Sequence, residues 1–416
     1  MKRTTLAIVL AAAAFGGCKK DKAPDKTATP GSGSGATPTE PPKMRLSQQP
    51  QQQLPPLELP ADPKRAEKVA LGHALFFDKQ LSGNNDRSCY SCHQNEDGTG
   101  GHDPVAIGSG DKKLTRHAPG LWNVGFWKAY YWDGRAATLE ANVQGAWGGG
   151  NMGGAPGADT PEKTTEALDK RAAELVKIPG YKKLFEAAFP GVEIKAAQVN
   201  SAIAEYMRTL RCDDTAYDRY AGGDKSALDE AQQRGLDTFL GKGGCIVCHT
   251  PPFFSAGMGP APTADKQFYN IGIGTKDVPE DKVDVGRMKV SKDPADWAAF
   301  KPPSLRNVRK SPPYFHDGSV AKLEDAVKLM SGGGIPNKNK NPLVTDKQLT
   351  DAERADLVAF LGALDCGGKL EEPPPVEGAG GGGGKGDGTG KGDGKGDGKG
   401  AGGGGGKGAA PKKPGK

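Results

Sequence analysis

Apolar residues recur at helical spacing along much of the chain, and this pattern predicts a mainly α-helical fold. In the first such segment Ala66, Val69, Leu71 and Leu75 fall on one side of a helix. The segments with this spacing cover residues 63–76, 160–176, 180–189, 196–210, 228–240 and 351–364. Alternation of apolar and polar residues, which would indicate strands, is sparse.

Composition divides the chain into a folded middle and two low-complexity ends. Residues 19–62 are rich in Pro, Gln, Ser and Thr, and residues 371–416 hold 21 of the 63 glycines in Lys-Gly-Asp-Gly repeats. Neither composition buries enough apolar surface to fold. We therefore expect a disordered linker over 19–62 and a disordered polar tail over 371–416, with the folded part between them.

The first 18 residues have the features of an export signal. Lys2 and Arg3 precede an apolar run over residues 6–15, which is too short to span a membrane. The two glycines before Cys18 resemble a bacterial lipobox, in which the thiol is lipidated, although an ordinary signal peptide remains an alternative. Lys19 stands where inner-membrane lipoproteins typically carry aspartate. The sequence thus predicts a lipid anchor in the outer membrane, facing the periplasm.

The net charge of +6 says little about partners, because it lies mostly at the ends. Residues 1–62 carry an excess of three positive charges and residues 371–416 an excess of two, so the middle is near +1. A nucleic-acid-binding protein concentrates basic charge on its folded part. The charge distribution therefore argues against binding of nucleic acid.

Four of the seven cysteines form two C-x-x-C-H motifs. They are Cys89-Tyr90-Ser91-Cys92-His93, the first motif, and Cys245-Ile246-Val247-Cys248-His249, the second motif. Two thiols three residues apart can both add to the vinyl groups of one porphyrin, and the next histidine can then ligate the iron. A zinc site would want further nearby ligands, and a redox dithiol motif lacks the histidine. We therefore predict two covalently bound haems c, with His93 and His249 as iron ligands.

The middle of the chain repeats itself. Residues 119–143 and 303–327 align without a gap at an offset of 184, with 11 of 25 positions identical. The two motifs and the two remaining cysteines, Cys212 and Cys366, also recur in the same order. We expect two tandem cytochrome-c-like domains over 63–222 and 223–370. Cys212 and Cys366 are either a disulfide or two buried thiols, and the sequence leaves both open.

Several longer motifs resemble one known family. They are Leu71-Gly-His-Ala-Leu75-Phe76-Phe-Asp78 with Leu81-Ser82, Tyr131-Trp132-Asp133-Gly134-Arg135, Pro303-Ser-Leu-Arg306-Asn307 and Pro313-Tyr-Phe-His316-Asp317-Gly318. Together they are similar to the bacterial di-haem cytochrome c peroxidases and the related MauG proteins, and the likeness covers about residues 63–366. It implies that the first haem cleaves hydrogen peroxide. It implies also that the second haem takes electrons from a small donor protein, a cytochrome c or a cupredoxin; a homodimer is common in the family.

The resemblance also assigns residues to the electron path. Met330 falls on the family's sixth ligand of the second haem, where a thioether raises the reduction potential. Met258, in a Gly-Met-Gly loop nearer the second motif, is a competitor but does not fall on the family position. A methionine after a helix is also a common core filler. Trp132 matches the tryptophan between the haems, and its alternative interpretation is a plain core aromatic.

At the first haem the sequence departs from the family. The distal histidine position reads Ser109, which is a poor iron ligand, so we expect an open coordination site; His102 and His117 are nearby alternatives. The family's distal glutamate, which carries a proton to peroxide, is Asn151 here. An amide can hydrogen-bond but cannot carry that proton.

Three further positions bear on the same haem and its surroundings. The family's distal glutamine is Asn142, and Glu140 or His102 could substitute for the missing acid. The asparagine that binds Ca²⁺ between the haems falls on His117, and imidazole suits a hard cation poorly. Ser311 and Pro313 could still offer carbonyl ligands, so a weakened calcium site stays open.

Three functions follow from these observations. The leading hypothesis is a periplasmic peroxidase that reduces hydrogen peroxide. The second is a MauG-like oxidase of a protein substrate, against which Met330 argues, because the relay haem of MauG proteins carries tyrosine. The third is a di-haem electron carrier without peroxidase activity, which the loss of the distal acid at Asn151 keeps open.

Overall fold

The computed structural model describes residues 44–260, 263 and 266–379. The expected signal and Cys18, most of the linker, and residues 380–416 of the tail lie outside the described residues. Within the described part of the chain no β-strand forms, and β contacts are isolated bridges such as Tyr130–Ala136 and Tyr314–Val320. The expected mainly α fold is confirmed. No helix among the described residues has the length and apolar content needed to cross a membrane.

The described residues form ten α-helices, and the six segments with helical spacing each correspond to one of them. In chain order the helices are α1 (Arg65–Phe77), α2 (Leu139–Gly148), α3 (Pro161–Leu175), α4 (Pro179–Ala188), α5 (Ala196–Arg208), α6 (Ala216–Ala221), α7 (Glu230–Leu240), α8 (Met288–Ser291), α9 (Leu323–Ser331) and α10 (Asp351–Gly362). Capping residues start several of them: the Thr160 side chain accepts from Lys163 N–H, with Pro161 at the first helical position, and Thr350 does the same for Glu353.

Two hydrophobic cores lie one in each half. Helices α1 to α5 surround the first, and α7, α9 and α10 surround the second. In each core two helices approach unusually closely at a glycine. A Cβ at Gly72 of α1 would lie 1.9 Å from the Ala202 carbonyl oxygen of α5, and one at Gly235 of α7 would lie 2.0 Å from that of Asp356 in α10. Only glycine permits either contact.

The border between the halves differs from the expected one near residue 222. Tyr217 and Tyr220 of α6 are fully buried in the second core, although the sequence placed them in the first domain. Cys212, which precedes α6, packs in the first core and forms a disulfide with Cys366. The open alternative for these two cysteines is thus resolved, and the bond joins the two halves close to where the chain crosses between them.

The described parts of the two ends are packed rather than disordered. Ser47 is fully buried; its N–H donates to Asp237 and its carbonyl oxygen accepts from the Tyr220 hydroxyl. Leu54 and Leu57 pack against Phe126, Phe253 and Met258. The expectation of disorder is therefore wrong for residues 45–57, because a few apolar side chains and backbone hydrogen bonds dock a segment whose average composition is polar.

The start of the tail is also packed, in this case against the first half of the molecule. Asn95 exchanges two hydrogen bonds with the backbone of Leu370, at 2.7 and 3.0 Å. Further along, Gly180 N–H donates to the Glu377 carbonyl oxygen at 2.9 Å. The segment before the first half thus packs on the second half, and the segment after the second half packs on the first.

Candidate functional site

The first motif forms a tight turn that presents its histidine. Cys92 N–H and His93 N–H both donate to the Cys89 carbonyl oxygen at 3.2 Å. The His93 Nδ1–H donates to the Thr99 carbonyl oxygen at 2.9 Å. Burial lowers the pKa of His93, so the imidazole is neutral at neutral pH. Its Nε2 is left as the acceptor that an iron ion would require.

The second motif repeats this arrangement. His249 N–H donates to the Cys245 carbonyl oxygen at 2.9 Å. The His249 Nδ1–H lies between two carbonyl oxygens, those of Phe254 at 3.2 Å and Pro303 at 3.1 Å. Burial lowers the pKa of His249 to about 4, so this imidazole too is neutral. Both histidines therefore have the orientation and protonation state of an axial haem ligand.

The four motif cysteines fit covalent haem attachment better than the alternatives. All four are outside any disulfide. Burial raises the pKa of Cys89 to about 12 and that of Cys245 to about 11, which is opposite to a reactive dithiol. Among the described residues no three His, Cys, Asp or Glu side chains converge as a metal ion would require. The donor set thus matches a porphyrin bound through thioethers and one imidazole.

A cavity of about 1220 Å³ lies beside the first motif. Cys89, Cys92 and His93 line it. Its apolar wall includes Phe76, Leu81, Leu121, Val124, Val143, Trp147, Ile203 and Met207. The indole Nε1 of Trp122, another lining residue, is buried without a protein acceptor and could donate to a bound group. The space, its apolar wall and this spare donor fit a haem.

The two amides that replace the family's distal residues both line this cavity. Asn142 lies in α2, and its carbonyl oxygen accepts from the Tyr131 hydroxyl at 2.8 Å. Asn151 lies in the glycine-rich loop after α2, and its carbonyl oxygen accepts from Ser109 N–H at 2.9 Å. The structure therefore brings both predicted residues to the space beside His93.

Three other residues considered for this site make their contacts outside the cavity. The Ser109 hydroxyl donates to Asp86 at 2.7 Å. His102 has 83% of its side chain exposed and contacts Asp97, and Glu140 pairs with Arg208 at 2.6 Å. Ser109, His102 and Glu140 are absent from the cavity wall. Neither Glu140 nor His102 is placed to replace the missing acid.

His117 does line the cavity, but its ring is already engaged. Its Nδ1–H donates to the Asp103 carbonyl oxygen at 3.0 Å. Burial lowers its pKa. The residue at the family's calcium position is thus a buried neutral imidazole, which does not fit a hard cation.

An ion-pair network in the cavity wall was not predicted from any sequence motif. Arg116 forms ion pairs with Asp133 at 2.8 Å and with Asp284 at 2.6 Å. Burial raises the pKa of Asp284, but the Arg116 guanidinium outweighs it and holds that pKa below its usual range. Asp133 and Asp284 are the carboxylates of the described cavity wall, and both are tied to the same arginine. Arg116 and Asp284 are 168 residues apart in the sequence, so no local pattern indicates this pair.

Trp132 lies where the two halves meet. Its indole N–H donates to the His117 carbonyl oxygen at 2.8 Å, and its ring packs edge-on against His316 at 6.4 Å between centroids. Trp132 and His316 are matched positions of the internal repeat. His117 and Lys301 are also matched, and their N–H groups donate to the carbonyl oxygens of His316 and Trp132, respectively. Matched residues thus make reciprocal bonds, as in a two-fold interface.

The two methionines considered as ligands lie in different surroundings. Met258 is 3% exposed and packs with Phe126 and Phe253, as core filler would. Met330 is half-buried near the end of α9. Directly after it, the Ser331 carbonyl oxygen accepts from Lys347 N–H at 2.8 Å, and the Lys347 side chain reaches the turn that precedes Cys245. The end of α9 is therefore near the second motif.

Comparison with known proteins adds an independent result. Residues 66–226 match the family described as di-haem cytochrome c peroxidase. The chain is 35% identical to the methylamine utilization protein MauG of Methylorubrum extorquens, over 73% of this chain and 80% of that one. It is 33% identical to the cytochrome c551 peroxidase of Pseudomonas aeruginosa, over 74% of this chain and 81% of that one.

A solved structure agrees with these relatives. The crystal structure of a MauG-like protein associated with microbial copper homeostasis superposes with a TM-score of 0.65 at 31% identity. The match covers 77% of this chain and 95% of that one. Sequence and fold therefore point to the same group of proteins.

Proposed function

Because the chain belongs to the family of di-haem cytochrome c peroxidases and MauG proteins, we propose that it reduces hydrogen peroxide beside His93 with electrons that enter near His249. The observation that carries this proposal is the cavity that holds the first motif, Asn142 and Asn151 together. When bound, the haem on His93 supplies the iron that passes electrons to peroxide. Each peroxide takes up two electrons and two protons and leaves as two waters.

The protein's own contribution at this site is to hold peroxide and to exclude bulk water. Asn142 and Asn151 supply amide donors and acceptors in the cavity wall. Neither amide transfers a proton, and the lining carboxylates Asp133 and Asp284 remain bound to Arg116. We therefore expect proton transfer to limit the rate.

Asn151→Glu tests this account by a gain of activity. Restoring a carboxyl group there should raise peroxide turnover by on the order of a hundredfold, the usual scale of general acid–base catalysis. Asn151→Gln is the matched control, since it adds the same length without an acid, and should leave the rate low. Equal rates for the two variants would contradict a limiting proton transfer at this position.

The second motif is proposed as the electron entry, with Met330 as the sixth ligand of its haem. A thioether ligand raises the reduction potential, which suits a group that accepts electrons from a donor protein. Met330→His should lower that potential in a redox titration of the holoprotein. Met258→His is the control and should leave it unchanged. An unaltered potential in Met330→His would remove Met330 from the ligand set.

A di-haem electron carrier is the second candidate function, and the paired carboxylates of the cavity favour it. Stopped-flow mixing of the half-reduced holoprotein with peroxide separates the two functions. A rapid change in the absorption of the first haem, with peroxide consumed, supports the peroxidase. A spectrum that does not respond to peroxide would make the protein a carrier.

We place the protein in the periplasm, held by a lipid on Cys18. The export-type start of the chain and the two C-x-x-C-H motifs support this location. Cys18→Ala should release the protein from the membrane fraction and abolish labelling by radioactive palmitate. Retention of the label would place the lipid elsewhere.

A further inference from the structure

Lys301 is a buried lysine at the junction between the halves, and the reaction as described does not use it. Only 7% of the residue is exposed. Its Nζ donates to the Ala129 carbonyl oxygen at 2.6 Å and lies 3.4 Å from the ring centroid of Trp127. Among the described residues no carboxylate forms an ion pair with it. Burying a lysine without such a pair is costly, which calls for a compensating role.

The backbone of the same residue makes a second contact. Lys301 N–H donates to the Trp132 carbonyl oxygen at 2.9 Å. Lys301 thus holds residues 129–132 at both ends, through its side chain and through its main chain. The Trp132 indole has one further anchor, the His117 carbonyl oxygen.

The segment that Lys301 holds contains a strained residue. Tyr131, directly before Trp132, has φ of +64°, in the left-handed region that bulky side chains rarely adopt. Such a conformation persists only where surrounding contacts fix it. The bond from Lys301 to Ala129 is one of these contacts, beside the bond from the Tyr131 hydroxyl to Asn142, and its loss would loosen the segment that carries the Trp132 indole.

The matched position in the other half lacks this clamp. His117 corresponds to Lys301, and its N–H makes the corresponding bond to the His316 carbonyl oxygen. Its side chain, however, bonds to Asp103 in its own half. His316 is held instead by stacking on Phe300, with ring centroids 3.7 Å apart. The side-chain clamp therefore serves Trp132 alone.

We propose that Lys301 is a positioning residue that fixes Trp132 as the electron relay between the two haem motifs. The proposal rests on the proposed function, in which electrons pass from the second motif to the first. It does not depend on the charge of Lys301: burial lowers its pKa, but ammonium and amine both donate an N–H to Ala129.

The test compares holoprotein variants by the rate of electron transfer between the haems after flash reduction. Lys301→Met keeps the length and removes the donor, and we expect a rate about tenfold lower with both haem potentials unchanged. Lys301→Gln restores an N–H donor and should recover part of the rate. Lys225→Met is the matched control, because the Lys225 Nζ also donates to a backbone carbonyl oxygen and lies over an aromatic ring, both of Tyr220, away from the cavity; it should transfer electrons at the normal rate.

A double-mutant cycle shows whether Lys301 acts through Trp132. Trp132→Phe should slow the transfer, and Lys301→Met should add no further loss in that background. An equal loss with and without Trp132 would overturn the positioning role while leaving the relay intact. A normal rate in Trp132→Phe would overturn the relay and, with it, the role of Lys301. If Lys301→Met does not fold, Lys301→Leu takes its place, since it also removes the donor, and a normal transfer rate in that variant would overturn the proposal.

Discussion

The first and second motifs share their local geometry but differ in what surrounds them. In each, the histidine Nδ1–H donates to a backbone carbonyl oxygen, and an asparagine in the left-handed conformation follows in the chain, Asn123 in one half and Asn307 in the other. Each asparagine accepts from the N–H of one disulfide cysteine, Cys212 or Cys366. The repeated sequence thus builds the same support twice.

The two motifs differ in their exposure to solvent. Tyr90 of the first motif stacks on Phe77 at 4.7 Å, and the chain segment held by Asn95 and Leu370 covers that side. Val247, the middle residue of the second motif, has half of its surface exposed. The first motif lies beside a cavity and under this cover, whereas the second motif exposes its middle residue to solvent.

The motif therefore determines how the haem is held, whereas the residues around the motif determine which reaction the haem can take part in. An enclosed site suits a small substrate that must be kept from bulk water. An exposed site suits electron exchange with a protein, which needs a short distance and no cavity. The expected division of labour between the halves follows from these surroundings and not from the motifs themselves.

The largest predicted effect comes from filling the space at the first motif alone. Ala146 lies in α2 and lines the cavity. Ala146→Phe should reduce peroxide turnover by about a hundredfold, because the larger side chain fills the space in which peroxide would bind. Reduction of the second haem by dithionite should be unaffected. Ala141→Phe, on the exposed side of the same helix, is the control. Equal turnover in both variants would show that peroxide reacts elsewhere.

A large effect on stability is expected at a position where the repeat diverges. Arg306 is fully buried and bonds to Asp218 at 2.7 and 2.8 Å, whereas its counterpart in the first half is Trp122. Arg306→Met leaves the Asp218 carboxylate buried without its partner and should lower the free energy of unfolding in urea by about 3–5 kcal/mol.

The control for Arg306 is an ion pair on the surface. Lys170 and Glu166 are both largely exposed, so Lys170→Met should change the free energy of unfolding by less than about 1 kcal/mol. A similar small change in Arg306→Met would mean that the buried pair does not hold the second core.

Acid should weaken the first half through Asp86. Hydrogen bonds from Gly110, Ser109 and Ser82 outweigh the effect of burial and lower its pKa to about 2. A carboxylate with a lowered pKa stabilises the fold above about pH 4, and this contribution is lost as the pH falls toward 2. Asp86→Asn should flatten the decline of the melting temperature between those values, while Asp159→Asn, at an exposed residue, should not. Parallel curves for wild type and Asp86→Asn would contradict the assignment.

The sequence predicted those helices whose apolar spacing is long and regular. It missed α2, in which Leu139, Val143 and Trp147 are buried at helical spacing but Gly145 and Gly148 weaken the pattern. It also missed the order of residues 45–57, because docking depends on partners such as Asp237 that composition does not reveal.

The candidate site was predictable where its chemistry is local. The C-x-x-C-H spacing predicts both histidines as iron ligands, and the residues at the family positions, Asn142 and Asn151, both line the cavity. The Cys212–Cys366 bond and the contacts of Lys301 depend on two distant segments meeting, which a single sequence does not encode in its spacing. A site formed by residues adjacent in the sequence can be predicted from their spacing. A contact between segments distant in the sequence cannot.

The smallest predicted effect concerns the cover over the first motif. Asn95→Ala removes both hydrogen bonds to Leu370, and each is worth about 1 kcal/mol. The segment that follows residue 366 should then open more often, and the Leu370 amide should exchange with deuterium roughly tenfold faster or more. Asn339→Ala, which removes a similar bond to Pro294 in the second half, is the control and should leave that amide unchanged. Unchanged exchange at Leu370 in Asn95→Ala would show that the disulfide alone holds the cover, and the contrast between an enclosed and an open motif would then owe nothing to Asn95.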